Sequence, residues 1–140
     1  MKKCIFLLLF ISSTLFAQSI TQEEIIGSWK AIEAEGLDKL PPKQAKMMEN
    51  MFLDAAFKFQ ENGRFDIVLK NTKGIAQQEF LKTIKNSRWI FNSDKSTISI
   101  GNKSNNFKIM EIYVAEKETQ IYFLLKESPL ILKVVKESWN

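Results

Sequence analysis

The chain has 140 residues, of which 45% are apolar, 11% aromatic and 26% charged, and its formal net charge is +4. It contains no histidine and a single cysteine, Cys4. These absences exclude a histidine-dependent catalytic triad, an imidazole-ligated zinc or haem, and a zinc ribbon. The composition is that of an ordinary globular chain, and the length allows one domain.

The N-terminus has the pattern of an export signal. A two-lysine head precedes residues 4–11 (CIFLLLFI), which are all apolar, and a weaker apolar extension ends at Ala17. Such a head, apolar run and small exit residue are typical of a secretory signal peptide, and the run is shorter than the about 20 residues of a membrane span. We therefore predict a signal peptide at residues 1–17, cleaved after Ala17, followed by one domain at residues 18–140.

Cleavage would change the composition of the working protein. Cys4 precedes the hydrophobic region, whereas a lipid-modified cysteine follows it, so Cys4 would leave with the signal. Removal of 17 of the 140 residues would leave 123, with a net charge of +2 and no cysteine. We therefore expect a periplasmic or secreted domain that is stabilised by its core, without disulfides, without a cofactor and without a transmembrane span.

The first elements lie on either side of the proline pair at residues 41–42. Residues 24–35 read as a short turn that enters a strand near Ser28. Residues 43–56 (KQAKMMENMFLDAA) lack glycine and β-branched residues, which predicts an amphipathic helix that begins just after the prolines. Its apolar face would consist of Met48, Met51, Phe52 and Ala55.

From residue 56 onward, apolar and polar residues alternate, which predicts β-strands. A first hairpin would turn at Glu61-Asn62-Gly63, with Phe57 and Phe59 before the turn and Phe65, Ile67 and Leu69 after it. A second hairpin would pair residues 87–91 with residues 97–100. Three more strands are expected at residues 107–114, 120–126 and 130–135, and their short connections predict antiparallel neighbours.

Residues 71–85 are ambiguous. Phe80, Leu81 and Ile84 could form one face of a helix, but Gly74 and the surrounding period of two favour a strand near residues 78–84. The expected fold is mainly β, with eight strands besides this ambiguous segment: one before the helix and seven after it. Such a meander can form an antiparallel up-and-down barrel or a sandwich, and closure favours the barrel because it removes exposed edges. The helix at residues 43–56 would be its lid, between the first and second strands.

The phrase Ile26-Gly27-Ser28-Trp29-Lys30, at the entry of the first strand, resembles the Gly-x-Trp signature of the lipocalins. The chain is most similar to small exported lipocalin-like domains of bacteria. In these domains an aromatic hairpin like residues 57–65, a tryptophan-bearing strand like residues 88–91 and a strand like residues 97–100 follow in the same order. The resemblance covers residues 25–135.

The resemblance implies specific roles for some residues. Trp29 would plug the closed end of the barrel, and residues 35–56 would form the long first loop over the open end. Lipocalins often stack an arginine from near the last strand over that tryptophan, and here Lys133 or Lys136 would take its place. The implied function is binding of a small apolar molecule.

Large apolar side chains at alternating strand positions, together with the apolar face of the helix, are the candidate ligand-binding residues. They are Trp29, Met48, Met51, Phe52, Phe57, Phe59, Phe65, Trp89, Phe91 and Phe107. The same aromatic rings could instead fill the core. The protein would then be an interaction domain, which docks another envelope protein through an outer apolar or basic surface, because the last two strands are apolar on both faces.

Catalysis, metal binding and nucleic-acid binding are not expected. Glu33 and Glu35 are the one candidate carboxylate pair, and two solvated, outward-facing residues on a strand edge are the favoured explanation. Residues 70–108 hold eight Lys/Arg against two acidic residues, a basic flank that could meet an acidic partner or a membrane surface. Export argues against nucleic acid, and we expect a monomer or a weak dimer.

Overall fold

The structure, a computed structural model, describes residues 20–138, so the predicted signal peptide at residues 1–17 lies outside the described residues. The described chain contains three α-helices, two 3-10 turns and eight strands. The helices are α1 (Gln22–Ile25), α2 (Pro42–Phe52) and α3 (Ile75–Ile84), and the 3-10 turns are Leu37–Lys39 and Lys103–Asn105. The strands are β1 (Gly27–Glu35), β2 (Ala56–Phe59), β3 (Phe65–Val68), β4 (Arg88–Asn92), β5 (Thr97–Gly101), β6 (Met110–Lys117), β7 (Gln120–Leu125) and β8 (Ile131–Glu137).

The eight strands form one antiparallel sheet that closes on itself as a nearly complete up-and-down barrel. The strand order is β3-β2-β1-β8-β7-β6-β5-β4, so β1 pairs with β8 and the two ends of the sheet are β3 and β4. An isolated bridge between Arg64 and Arg88 joins these ends. We call this junction between β3 and β4 the seam. Two backbone hydrogen bonds support it, from Phe65 N to Ser87 O at 3.0 Å and from Trp89 N to Gly63 O at 3.0 Å. The predicted fold class is confirmed.

Both predicted hairpins form, and so do the three C-terminal strands. Phe57 pairs with Ile67 and Phe59 pairs with Phe65, as alternation around the Asn-Gly turn predicts. The strand before the helix, the two hairpins and the three C-terminal strands account for all eight strands of the described chain.

The strand predicted near residues 78–84 is wrong, because this segment lies within α3. Gln77, Phe80, Leu81 and Ile84 repeat at spacings of three and four, and this face of α3 is buried or partly buried. The helix occupies the connection between β3 and β4, where the sheet has only its single bridge.

The helix predicted at residues 43–56 is confirmed between β1 and β2, but it ends at Phe52. Asp54 has a positive φ of 64°, and Leu53 is already extended. The backbone beyond the helix bonds to β1 instead, since Asp54 N donates to Ala31 O at 2.8 Å and Ala31 N donates to Ala55 O at 2.9 Å. These bonds draw residues 54–55 out of the helix.

The strand predicted at residues 107–114 also shifts, because β6 begins at Met110. The 3-10 turn before it is capped by the Asn102 side chain, which accepts from Ser104 N at 3.0 Å. Asn106 and Phe107 then both have a φ of 55°, so Phe107 lies in a turn. The alternation that the sequence suggests for Phe107 is therefore absent.

Candidate functional site

The two ends of the barrel differ in what closes them. In an up-and-down barrel, successive connections alternate between the ends, so the β1–β2, β3–β4, β5–β6 and β7–β8 connections share one end. We call this end the mouth. The hairpin turns and α1 lie at the opposite end, which we call the closed end. The mouth therefore carries both longer helices, α2 and α3.

The closed end is sealed around Trp29. Trp29 Nε1 donates to Ile25 O at 2.8 Å, and Lys136 Nζ donates to Glu24 O at 2.9 Å, so two side chains of the barrel satisfy carbonyls of α1. Lys136 Nζ also lies 5.4 Å from the centroid of the Trp29 ring, in a cation–π contact. The prediction that Lys133 or Lys136 covers Trp29 is confirmed for Lys136.

Aromatic rings fill the barrel above this seal. Phe59 lies 5.2 Å from Phe65, 5.4 Å from Trp89 and 6.0 Å from Phe123, measured between ring centroids. Phe57 lies 5.6 Å from Phe123, and Phe123 lies 5.9 Å from Trp29. All six side chains are buried. Rings at these separations are in direct contact, so this part of the barrel is a packed core.

A pocket of about 240 Å³ opens at the mouth. All four mouth connections or their flanking strand ends contribute to it. Its apolar walls are Met48, Met51, Phe52, Phe80, Ile109, Met110 and Leu125, and its polar rim is Glu111, Lys126, Glu127 and Ser128. The pocket thus has the composition of a small-molecule site, with mostly apolar walls and a few polar groups at one edge.

The helices position the pocket walls through their periodicity. Met48, Met51 and Phe52 follow spacings of three and four on α2, so they share the face that is turned to the barrel. The Phe52 ring lies 5.6 Å from Phe80 of α3 in an edge-to-face contact and 6.3 Å from Phe57 in a stacked one. These two contacts fix α2 between α3 and the aromatic core.

Three of the predicted ligand-binding residues, Met48, Met51 and Phe52, line this pocket. The others lie elsewhere. Five of them belong to the packed core and do not line the pocket, because the period of two directs their side chains into the barrel interior: Trp29, Phe57, Phe59, Phe65 and Trp89. Phe91 is half-buried against that core, and Phe107 lies outside it in the turn before β6.

Several pocket residues were not among the sequence candidates. Phe80 belongs to the segment for which the sequence favoured a strand, and only its helical interpretation would have placed Phe80 beside Phe52. Ile109 and Met110 were expected in a strand without a role, and Leu125 was assigned to a strand that is apolar on both faces. Their proximity to α2 follows from barrel closure, which brings the ends of β6 and β7 to the mouth.

The candidate carboxylate pair of β1 lies on the outer surface. Glu33 and Glu35 are both exposed, so they do not form an inward-facing carboxylate pair. Among residues 20–138, no cluster of three or more Cys, Asp or Glu side chains could hold a metal ion. A larger, mainly polar groove of about 510 Å³ lies between α2 and the β3–α3 connection, where Lys70 Nζ pairs with Asp54 Oδ2 at 3.1 Å.

No helix in the described part of the chain has the length and hydropathy needed to cross a bilayer. Comparison of the chain with protein-family models, with curated proteins and with solved structures finds no match.

Proposed function

We propose that this protein is an exported, lipocalin-like binding protein that holds a small hydrophobic molecule in the mouth pocket. The observation that carries this proposal is the pocket of about 240 Å³ between α2, α3 and the ends of β6 and β7. Seven apolar side chains form its walls, and its four polar residues lie together on β6 and the β7–β8 connection. The apolar walls favour burial of a hydrophobic group, while the polar edge can orient a polar substituent.

The pocket volume limits the size of the ligand. An apolar cavity of about 150 Å³ holds benzene, and drug-sized ligands occupy pockets of about 300–1,000 Å³. A pocket of about 240 Å³ therefore suits one or two fused rings or a short acyl chain. Three methionines, Met48, Met51 and Met110, contribute to the walls, and their unbranched side chains adapt to ligands of differing shape.

The binding test uses N-phenyl-1-naphthylamine, an apolar fluorophore, titrated into the folded protein. Saturable fluorescence enhancement is expected, and Met48→Lys should weaken it at least about tenfold because a charge enters the apolar wall. Met47→Lys is the matched control, since Met47 is the neighbouring residue on α2 and does not line the pocket. It should leave the affinity unchanged.

Two results would contradict the proposal. Folded wild-type protein that shows no saturable binding has no functional pocket for apolar ligands. Equal weakening by Met47→Lys and Met48→Lys would mean that the fluorophore adsorbs to the surface of α2. Circular dichroism of each variant keeps loss of binding separate from loss of folding.

A second candidate function, docking of another envelope protein, is favoured by an apolar row on the outer barrel wall. Tyr113, Leu124 and Ile131 are cross-strand partners on β6, β7 and β8, and they lie on the face opposite the core. Tyr113 is 42% exposed. A photo-crosslinking residue in place of Tyr113 should capture a single partner in cell envelopes, whereas the same residue at Ile90 should not. Identical adducts from both positions would argue against this candidate.

A further inference from the structure

The charges of the chain are separated between the two ends of the barrel. The four mouth connections (residues 36–55, 69–87, 102–109 and 126–130) hold ten lysines and five acidic residues, a net charge of +5. The described segments at the closed end (residues 20–26, 60–64, 93–96 and 118–119) hold two basic and five acidic residues, a net charge of −3. A protein with this separation of charge orients its mouth toward an anionic surface as it approaches that surface.

The solvent face of α2 combines basic and apolar side chains. Lys43, Lys46, Met47 and Asn50 follow spacings of three, four and seven, so they share one face, and all four are exposed. This face is opposite the one that carries Met48 and Phe52 into the pocket. Met47 is 42% exposed, and neither lysine is paired with an acidic residue in the described part of the chain.

The start of α3 presents a second apolar side chain at the same end. Ile75, the first residue of α3, is 82% exposed, the largest value among the exposed large hydrophobic residues of the described chain. Lys73 precedes it, and Lys82 lies on the same exposed face two turns later. Ile90, which is also exposed, lies on β4 in the barrel wall.

We propose that the mouth end docks on the surface of an anionic lipid bilayer, with Met47 and Ile75 in the headgroup region and the surrounding lysines on lipid phosphates. Isolated apolar side chains that are surrounded by lysines suit the boundary between headgroups and acyl chains, where apolar groups insert and lysines contact phosphates. Docking of a protein partner would need a continuous apolar face, and neither helix exposes one. Docking would place the opening of the mouth pocket against the lipid, where apolar molecules accumulate.

This inference goes beyond the proposed function and does not require a bound ligand. Docking concerns the outer faces of α2 and α3, whereas ligand binding concerns their inner faces. Vesicle binding by ligand-free protein therefore tests docking alone, and fluorophore titration without vesicles tests the pocket alone.

The experiment measures cosedimentation with vesicles of phosphatidylcholine and phosphatidylglycerol, and with vesicles of phosphatidylcholine only. Binding is expected to the anionic vesicles and to fall with added salt. A lysine near an anionic surface contributes about 1 kcal/mol, so Lys43→Gln with Lys46→Gln should weaken binding about thirtyfold. The matched control neutralises Lys95 and Lys117 at the closed end and should leave binding nearly unchanged.

A second pair of variants tests the contribution of apolar side chains to vesicle binding. Ile75→Gln should weaken binding to anionic vesicles several-fold, because the exposed side chain no longer inserts. Ile90→Gln removes an isoleucine that is 52% exposed on the barrel wall, and it should have no effect.

Three outcomes would overturn the proposal. The first is no binding to anionic vesicles, and the second is equal weakening by the mouth and closed-end lysine pairs. The third is binding to polyglutamate as strong as binding to vesicles, with no effect of Ile75→Gln, which would identify an acidic polymer as the partner of the mouth.

Discussion

Replacement of Phe59 by alanine tests whether the barrel interior is filled by side chains or hollow. Phe59 is fully buried, and its ring contacts the rings of Phe65, Trp89 and Phe123 at centroid distances of 5.2, 5.4 and 6.0 Å. The variant loses the transfer free energy of the ring, leaves a cavity and breaks three aromatic contacts. We expect the free energy of unfolding to fall by about 3–5 kcal/mol.

Urea denaturation followed by circular dichroism measures this loss. A domain of this size has about 5–15 kcal/mol of stability, and the expected loss corresponds to a fall in Tm of roughly 10–20 °C. Phe59→Leu keeps much of the volume and should cost about 1–2 kcal/mol, which provides a second point if the alanine variant is too unstable. Met48→Ala, at a half-buried pocket position, should cost about 1 kcal/mol.

The relative losses of unfolding free energy in the Phe59 and Met48 variants show whether Phe59 belongs to a packed core. If Phe59→Ala costs less than about 1 kcal/mol, the ring is not packed on all sides and the interior is not filled. If the variant keeps its stability but loses fluorophore binding as strongly as Met48→Lys, then Phe59 lines a ligand space. Either result would refute the assignment of the aromatic rings to the core.

Three further substitutions test the closed end, the mouth and the seam. Lys136→Met removes the cation–π contact with Trp29 and should lower the free energy of unfolding by about 1 kcal/mol in a urea titration. Gly36→Ala places a Cβ at a φ of +85° and against the carbonyl oxygen of Pro129, so it should cost about 2 kcal/mol or more and lower the Tm. Ser87→Ala removes a buried hydroxyl that has no hydrogen-bond partner in the described chain, and it should raise stability by about 1 kcal/mol.

Each of these predictions has a control and a contrary result. Lys133 also lies on β8, but it pairs with Glu33 and not with Trp29. Lys133→Met should therefore be neutral, and equal losses for both lysines would remove the cation–π explanation. Gly74→Ala has an ordinary φ of −71°, and the atoms nearest to its added Cβ belong to the flexible Gln77 side chain, so it should cost less than Gly36→Ala. A loss of stability in Ser87→Ala would mean that the Ser87 hydroxyl makes a hydrogen bond in the folded protein.

The strands were predictable because their pattern is local. Phe57, Phe59 and Phe65 alternate with charged or polar neighbours, and the Asn-Gly turn fixes how the two strands pair. A period of two is readable from a few residues without knowledge of the rest of the fold. The barrel then follows, since short connections leave antiparallel pairing of neighbours as the simple arrangement.

The helix α3 was missed because its buried face contains a polar residue. Gln77 is buried with Ile84, and the half-buried Phe80 and Leu81 complete the helical face. With Gln77 counted as exposed, three apolar residues remain, and they fit a strand as well as a helix. The choice depends on the seam between β3 and β4, which is formed by residues distant in sequence.

The pocket was only partly predictable for a similar reason. Met48, Met51 and Phe52 could be placed on one helix face from their spacing alone. The opposite wall consists of Met110 and Leu125, which reach the mouth only when the barrel closes. Phe107 was misplaced because two successive residues with positive φ end the alternation before β6.

The arrangement of side-chain types along the barrel axis explains why stability and binding can be assigned to different residues. Rigid rings fill the closed end and the middle, where Phe123 contacts both Trp29 and Phe57. At the mouth, three methionines share the pocket wall with Phe80. Phe52, which stacks on Phe57, lies at the boundary between the two regions. Rings have few rotamers and pack to high density, whereas methionines re-pack at low cost. A ligand at the mouth would therefore displace methionine side chains and press on Phe52 while the ring core stays intact.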